Sequence, residues 1–175
     1  MAATPTTDSE LPAAAAVPWL TSAEQDAWRS FIVTSRWVFE MLDRDLKAHG
    51  LSGDDYAVLV TLADQPERRM RMSDLAERVY ESKSRLSHHI GRLEAKGWVR
   101  REACPSDGRG MNAVLTDEGV ALLERAAPDH VRSVRQHFLD LFEPDELAMI
   151  ATAFGASAER LRGLRGTGAC PGDDI

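Results

Sequence analysis

The stretch Lys83-Ser-Arg-Leu-Ser-His-His-Ile-Gly-Arg-Leu-Glu-Ala-Lys-Gly97 is the part of the sequence that decides the fold. At about 100° per residue along a helix, Leu86, Ile90 and Leu93 fall within about 60° of one another and form an apolar stripe. Gly97 follows the last periodic residue and supplies a C-terminal cap. The stretch therefore predicts an amphipathic helix, beginning at Ser82 or Lys83, whose apolar side is buried.

The opposite side of this helix is polar and basic. It carries Ser84, Arg85, His88, Gly91 and Arg92. Arginine can hydrogen-bond a guanine edge in two places, serine or histidine can donate to bases or phosphates, and a glycine leaves room for close approach. An ordinary solvated basic face has the same composition, so the neighbouring elements must decide between the two interpretations.

The flanking sequence predicts a short helix before the basic one and a β-hairpin after it. Ser73 is the candidate N-cap of the short helix. The apolar side of that helix carries Leu75, Ala76 and Val79. Two β-biased runs, 98–103 and 112–115, are joined by Cys-Pro-Ser-Asp-Gly-Arg-Gly-Met, a composition typical of a long, mobile tip. This order of elements is that of a winged helix-turn-helix, which favours a nucleic-acid recognition helix.

Two helices are predicted before the winged segment. Thr21 and Glu24 form a capping box that begins the first, which runs to a stop at Gly50. Because roughly thirty residues is long for a globular helix, this length indicates packing beyond one subunit. The second helix begins after Ser52 and ends at Pro66. Its inward positions are expected to be Tyr56, Leu59, Val60 and Ala63.

Two further helices are predicted after the hairpin. Thr116 caps the fifth helix, and Pro128 is expected to kink or divide it. Its expected apolar stripe consists of Val120, Leu123, Ala127, Val131, Val134, Phe138 and Leu141. The last helix opens with Glu143-Pro144, the proline at an N-terminal position. It is expected to bury Leu147, Ile150, Phe154, Ala158 and Leu161.

The chain is therefore expected to be mainly α, with a winged helix-turn-helix between long terminal helices. The expected boundaries, in chain order, are a disordered arm (1–18), an N-terminal dimerisation helix (19–50), a DNA-binding lobe (51–116), C-terminal dimerisation helices (117–162) and a flexible tail (163–175).

Charge is distributed unevenly along the chain. The net charge is −7, yet residues 68–109 hold eleven basic and six acidic side chains, so that this segment carries +5 and the remainder −12. A basic segment inside an acidic chain indicates a polyanionic partner. No run approaches the roughly 20 apolar residues of a membrane span, and no signal peptide is evident. Two cysteines make no disulfide framework, which favours a cytoplasmic location.

The hairpin tip contains a second candidate for nucleic-acid contact. Arg109 lies between glycines, so the backbone can turn tightly and hold the guanidinium outward. An arginine on a slender tip suits the narrow minor groove, whose negative potential attracts it. Asp107 is expected to support the wing through a charged hydrogen bond rather than to contact phosphate. A flexible surface loop is the alternative.

These motifs resemble the MarR family of bacterial transcription regulators, which are usually homodimers. The resemblance rests on Met72-Ser-Asp-Leu-Ala-Glu-Arg-Val, on the stretch from Ser84 to Arg101, on Asp107-Gly-Arg and on Val114-Leu-Thr-Asp-Glu-Gly. It implies that the terminal helices form the dimer interface. It implies that Ser84, Arg85, His88 and Arg92 face the major groove and Arg109 the minor groove. The family's wing often reads Asp-Arg-Arg, whereas residue 108 is Gly, so one basic contact is missing.

Other candidate sites are weaker. His130 and His137 lie seven residues apart without ligand-spaced partners, and the pair His88-His89 is expected to face DNA, so we expect no metal and no cofactor. Cys104 lies at the start of the wing tip, where oxidation would alter the wing, and Cys170 is expected to be inert. Acidic pairs such as Asp54-Asp55 are explained by the helix dipole.

Three aromatic residues could line a ligand cleft. Trp28, Phe31 and Tyr56 belong to the first two helices, and proteins of the resembled family often bind small aromatic acids or phenols in such a cleft and then lose DNA affinity. Packing in the core or the dimer interface is the alternative for each of them.

The sequence thus predicts a homodimeric regulator that binds a pseudo-palindromic double-stranded DNA operator, represses by occupancy and responds to a small aromatic or phenolic ligand. The alternative is a winged-helix adaptor that binds proteins and does not read DNA; it would need an apolar outer face on the basic helix. No catalytic constellation is found, so an enzyme is not expected.

Overall fold

The computed structural model of the chain describes residues 18–104 and 107–166, the side chains of 107–109 and 164–166 excepted. The chain divides into two units, residues 1–36 and 37–175. Most of the expected arm (1–18) and the tail from residue 167 onward lie outside the described residues. The tail was expected to begin at residue 163, but the last helix continues to Gly166, so that boundary was wrong.

The described residues are mainly helical, as predicted. The helices are α1 (Ser22–Leu46), α2 (Gly53–Ala63), α3 (Met72–Arg78), α4 (Lys83–Ala95), α5 (Asp117–His137) and α6 (Pro144–Gly166). Short 3₁₀ turns follow α1, α2 and α5. None of the described helices is long and apolar enough to cross a membrane.

Side-chain caps begin several helices at the residues that the sequence predicted. The Glu24 backbone N–H donates to Thr21 Oγ1 at 3.3 Å, and the Glu24 carboxylate accepts from the Thr21 backbone N–H at 2.7 Å. Ser52 caps α2 through a capping box, and Thr116 Oγ1 accepts from the Gly119 N–H at 3.0 Å. The predicted Ser73 cap is wrong, because α3 already begins at Met72 and the Ser73 hydroxyl donates to the Asp74 carboxylate instead.

The described strands form one antiparallel sheet in the order β1-β3-β2, with β1 at Arg69–Arg71, β2 at Val99–Cys104 and β3 at Asp107–Leu115. Strand β1 was not predicted. Its sequence, Arg-Met-Arg, has no β-biased composition, and only pairing with β3 makes it a strand. The long tip was also wrong, because β3 already begins at Asp107 and only residues 105–106 separate the strands.

The main hydrophobic core lies beneath α4 and joins it to α2, α3, α5 and the sheet. Leu86, Ile90 and Leu93 are completely buried, which confirms the predicted stripe of α4. In α2 the buried apolar residues are Val58, Leu59 and Leu62, whereas Ala63, expected inside, is exposed. Leu59 is buried and Tyr56 and Val60 pack against the core, as predicted, so only Ala63 was wrong among the four expected positions.

Helices α5 and α6 depart further from their predicted faces. Pro128 lies inside α5, which runs without a break, so the proline does not divide it. Leu122 and Ala126 are buried in α5, whereas the expected Val131 and Leu141 are exposed. In α6, Leu147 and Ile150 are half-buried. The other α6 positions expected inside, Phe154, Ala158 and Leu161, are exposed in the single chain.

The start of α5 packs closely on the base of the hairpin. A Cβ atom added at Gly119 would lie 2.3 Å from the Trp98 carbonyl oxygen and 2.6 Å from a Leu115 methyl group. The Thr116 hydroxyl also donates to the carbonyl oxygens of Gly97 and Trp98, at 2.7 and 3.0 Å. These contacts hold α5 against the β2–β3 hairpin.

Candidate nucleic-acid interface

The outward side of α4 has the composition and the exposure that a recognition helix needs. Ser84, Arg85, His88 and Arg92 are all exposed, on the side away from the buried leucines. The helix is fixed at its start by Ser82, whose hydroxyl oxygen accepts from the Arg85 backbone N–H at 3.2 Å. The four side chains therefore lie on the exposed side of α4, as predicted, and their contact with DNA stays a prediction.

The two arginines of this face differ in their charge partners. The Arg85 guanidinium donates to the Asp54 carboxylate at 2.9 Å and lies 3.9 Å from Glu81. Arg92 forms no ion pair with any of the described residues. Arg92 can therefore offer its whole guanidinium to an anion, whereas Arg85 must first exchange a carboxylate of its own chain.

Further exposed residues near α4 were not singled out from the sequence. Arg78 and Lys83 lie at the end of α3 and the start of α4, and neither has a carboxylate within ion-pair distance in the described part of the chain. Tyr80, in the turn between these helices, is 67% exposed and has a φ of +57°, a strained value for a bulky side chain. Their position at the turn predicted between the short helix and the basic helix is the sequence feature that could have identified them.

His89 was expected to face DNA together with His88, and this is wrong. Its side chain is 3% exposed, with Nδ1 2.8 Å from a Glu81 oxygen and Nε2 2.8 Å from an Asp55 oxygen. The hydrogen bond to Asp55 raises the pKa of His89, burial opposes this rise, and the bond to Glu81 adds to it. Helical periodicity places residue 89 beside the buried stripe, so the two neighbouring histidines do not share one face of α4.

The same network lowers the pKa of Asp55. Burial alone would raise the pKa of this carboxyl group, but hydrogen bonds from His89 and the Ser52 backbone N–H, together with the Lys96 charge, lower it to about 2. The sequence explains Asp55 by the helix dipole alone, because its buried partner His89 is remote in the chain.

Strand β2 is attached to α4 by Arg101. Its guanidinium donates to the Ser87 carbonyl oxygen at 2.5 Å, and its backbone N–H donates to the Glu94 carboxylate at 3.0 Å. Gly91 lies beneath the guanidinium, so that a Cβ there would be 3.4 Å from it. Arg101 thus links the wing to the helix, a role that its sequence position did not indicate.

Other arginines of the basic segment are neutralised within the chain. Arg68 pairs with Asp117 at 3.0 Å, and Arg69 pairs with Glu67 at 3.0 Å and with Glu102 at 3.6 Å. Arg100 also pairs with Glu102. Among the described residues, Arg78, Lys83 and Arg92 are basic side chains of this segment without an ion pair, and all three lie in α4 or at the end of the helix before it.

The wing tip carries the remaining predicted nucleic-acid residues. Asp107 and Arg109 belong to the first residues of β3, and their side chains, like the space beside Gly108, lie outside the described residues. Their roles stay predictions. Cys104 is buried at the end of β2, with its Sγ 3.5 Å from the Arg71 guanidinium, and Cys170 lies outside the described residues.

The predicted ligand residues fall in both units of the chain. In the first unit, the Trp28 and Phe31 rings lie 6.1 Å apart and are 57% and 46% exposed. In the second, the Tyr56 ring lies 4.1 Å from His130, and burial raises the pKa of Tyr56 and lowers that of His130. A ligand cleft lined by these aromatics stays a prediction.

The histidines of α5 make contacts within the chain. His137 Nε2 lies 3.3 Å from an Asp45 oxygen, and His49 Nε2 lies 3.0 Å from an Asp129 oxygen. A polar pocket of about 300 Å³ lies nearby, between the end of α1 and α5. Among the described residues, no group of three or more metal-binding side chains converges.

Comparisons with known proteins agree on one family. The sequence profile of the MarR family matches residues 49–110. The chain is 30% identical over 121 residues to the transcriptional regulator PecS of Dickeya dadantii, covering 69% of this chain and 72% of PecS.

Two solved structures from Streptomyces coelicolor are also similar. The MarR family regulator AbsC is 48% identical with a TM-score of 0.81, over 84% of this chain and 99% of AbsC. The MarR family regulator Sco3205, solved in complex with DNA, is 45% identical with a TM-score of 0.81, over 83% of this chain and 91% of Sco3205.

Proposed function

The chain belongs to the MarR family of DNA-binding transcription regulators and is not an enzyme; from that premise we propose that it is a homodimeric repressor of a pseudo-palindromic operator. The observation that carries the proposal is the outward face of α4. It exposes Arg92 and His88 beside a completely buried leucine stripe. A polar, cationic face on a rigid helix suits the major groove and would be a poor docking surface for an apolar protein partner.

We assign the helix and the wing to different grooves of DNA, because each groove suits different side chains. Ser84, Arg85, His88 and Arg92 contact base edges and phosphates in the major groove, and Arg109 enters the minor groove with Asp107 supporting the wing. The similar Sco3205 was solved in complex with DNA, which supports the proposal that this chain binds DNA. The lobe that reads DNA spans residues 51–116.

Apolar side chains on the terminal helices supply the dimer interface, formed by segments 19–50 and 117–162. In α1, Trp37 and Phe39 are exposed, and in α6, Met149, Phe154 and Leu161 are more than half exposed. Exposed apolar side chains in such numbers on two long helices indicate an interface rather than a solvated surface. A two-fold dimer would place its recognition helices about one DNA turn, roughly 34 Å, apart.

A small aromatic or phenolic molecule is the proposed ligand that releases the operator. Trp28, Phe31 and Tyr56 supply aromatic surface for such a compound, and the exposure of the first two leaves surface to contact it. A ligand that binds the DNA-free form better than the DNA-bound form lowers operator affinity by that difference in affinity.

The decisive experiment is to sequence the genomic DNA fragments that the purified protein retains, followed by footprinting of the enriched site. We expect a two-fold symmetric footprint, and an affinity that falls by roughly 0.9 log units per decade of salt for each phosphate contacted. A protein that sediments as a monomer at micromolar concentration, or a flat salt response, would contradict the proposal. Retention of a protein partner with no DNA enrichment would favour the adaptor.

A further inference from the structure

His89 is a buried histidine on the recognition helix that takes no direct part in the proposed DNA contacts. It lies next to the exposed His88, yet its side chain is 3% exposed. Its two ring nitrogens face carboxylates from two other parts of the fold, Asp55 in α2 and Glu81 in the turn before α4, each at 2.8 Å. The imidazole ring thus connects three elements of the lobe.

The chemistry of the two partners determines the protonation of the ring. An ionised carboxylate can only accept hydrogen bonds, and a neutral imidazole has one donor and one acceptor nitrogen. Two carboxylates at hydrogen-bond distance therefore require two N–H donors, which only the imidazolium provides. Lys96 Nζ lies 3.8 Å from the other Asp55 oxygen, so the buried charges are balanced by a second cation.

The contacts also reach the DNA-facing side of α4. The second oxygen of Glu81 is buried without a hydrogen-bond partner in the described structure and lies 3.9 Å from the Arg85 guanidinium. Glu81 is therefore placed between a buried cation and an exposed one. A change in the charge of His89 alters the electrostatic environment of a side chain that we place in the major groove.

We propose that His89, as an imidazolium, is a positioning residue that holds α4 in the orientation needed to read DNA, and that operator affinity falls when His89 loses its proton. The inference rests on the proposed function, which it extends to regulation by pH. A neutral His89 would bring a nitrogen lone pair against a carboxylate oxygen at 2.8 Å, and the repulsion would separate α4 from α2 or from the preceding turn.

The direction of the pH effect follows from the groups that face the ring. Asp55 and Glu81 contact the ring, and the charged groups of Lys96 and Arg85 lie within 4 Å of these two carboxylates. The carboxylates raise the pKa of His89 above 6.5, its ordinary value. The hydrogen bonds from the imidazolium to both Asp55 and Glu81 are therefore present below the ordinary histidine pKa. This pair of bonds is lost as the pH rises through the raised pKa of His89 in the folded protein.

The first test is independent of DNA. Nitrogen-15 NMR of the imidazole rings in the free, full-length protein reports how many ring nitrogens of His89 carry a proton. We expect both nitrogens to be protonated at neutral pH, and the exposed His88 serves as the internal comparison. A neutral His89 with one protonated nitrogen at neutral pH would overturn the proposal.

The second test measures operator affinity from about pH 6 to about pH 10 at constant ionic strength. Because His88 is an exposed imidazole on the DNA-facing side, both proteins compared carry His88→Gln. We expect His89→Gln to reduce affinity roughly tenfold at the acidic end, as for the loss of a charged hydrogen bond, and to converge with its parent at the alkaline end. A constant ratio at every pH would identify a merely structural role and overturn the proposal.

Glu81→Gln is the second variant, and it keeps the histidine. The glutamine amide can donate to a neutral Nδ1 while Nε2–H still donates to Asp55, so both hydrogen bonds survive the loss of the proton and the decline in affinity with pH should disappear. A decline as large as in the protein with Glu81 would overturn the inference, even if His89→Gln failed to fold. Wild-type protein that bound no DNA at any pH would refute the proposed function, whereas intact binding without pH dependence would refute only the inference about His89.

Discussion

Replacement of Asp54 by asparagine is expected to strengthen DNA binding, because Asp54 competes with DNA for Arg85. The Arg85 guanidinium donates to the Asp54 carboxylate at 2.9 Å, and we expect it to leave that carboxylate when it turns towards a base or a phosphate. Binding then breaks the ion pair, and the free energy of the pair is subtracted from the contribution of Arg85. Arg92 has no such competitor in the described structure.

The size of the effect follows from the exposure of the pair. The Arg85 and Asp54 side chains are 67% and 64% exposed, so the pair is a surface ion pair. Such pairs contribute about 0.2–1 kcal/mol. Asp54→Asn should therefore raise affinity by a factor of about 1.4 to 5, since 1.4 kcal/mol corresponds to tenfold. Arg85→Ala should reduce the free energy of operator binding less than Arg92→Ala does, and the difference should equal the free energy of the ion pair, about 0.2–1 kcal/mol.

The assay is a double-mutant cycle on operator and scrambled duplexes, with Asp54→Asn, Arg85→Ala and the double variant. Removing a negative charge raises affinity for DNA at long range, so Asp140→Asn is the matched control. Asp140 forms a comparable exposed pair with Arg135, at 2.7 Å, in the turn after α5. The gain from Asp54→Asn should exceed that of the control and should fall to the level of the control when Arg85 is alanine.

Two results would refute this reasoning. Asp54→Asn could leave affinity unchanged, which would mean that Arg85 does not leave its carboxylate on binding. Alternatively, the gain could persist in the Arg85→Ala background, and the effect would then be long-range electrostatics rather than competition for one guanidinium.

Three further predictions concern stability and the wing. Gly119→Ala should destabilise the fold by about 1–3 kcal/mol in urea unfolding, because its Cβ would overlap neighbouring atoms. The control Gly53→Ala makes only an ordinary contact at 4.0 Å and should be neutral or stabilising by about 0.5 kcal/mol. Equal effects of the two variants would contradict the close packing at Gly119. Arg92→Ala should reduce the free energy of operator binding by about 1–3 kcal/mol and relax base preference. Arg109→Ala should weaken binding to the operator and to A·T-rich DNA by similar factors, and the two losses should nearly add in the double variant. If Arg109→Ala left the affinity for every duplex unchanged, the proposed role of Arg109 would be refuted. The lowered pKa of Asp55, about 2 against 3.8, should contribute about 2 kcal/mol of stability above pH 3.8 that disappears as the pH falls towards 2, and Asp55→Asn should flatten acid unfolding curves in that range.

Much of the lobe could be predicted from local sequence signals. The capping boxes at Thr21 and Ser52 and the cap at Thr116 all rest on contacts between residues three apart, so the chain around them determines the geometry. The amphipathic pattern of α4 correctly separated buried Leu86 from exposed Arg92.

The errors occurred where long-range contacts override local preference. Strand β1 exists because β3 supplies its hydrogen-bond partners, and the stretch 107–111 is strand rather than tip because β2 pairs with Asp107 and Met111 at its two ends. The buried face of α5 depends on which of its apolar positions meet the hairpin and α2, and the sequence period alone does not specify this.

The candidate site shows the same division more sharply. Periodicity alone placed Ser84, Arg85, His88 and Arg92 on one exposed face, because the angle between side chains on a helix depends only on their spacing. Tertiary structure decided that Arg85 is paired with Asp54, that Arg101 links the wing to α4, and that His89 bridges two carboxylates from 34 and 8 residues away. Charge pairing and burial depend on distances between elements that are remote in the chain, and those distances exist only once the chain has folded.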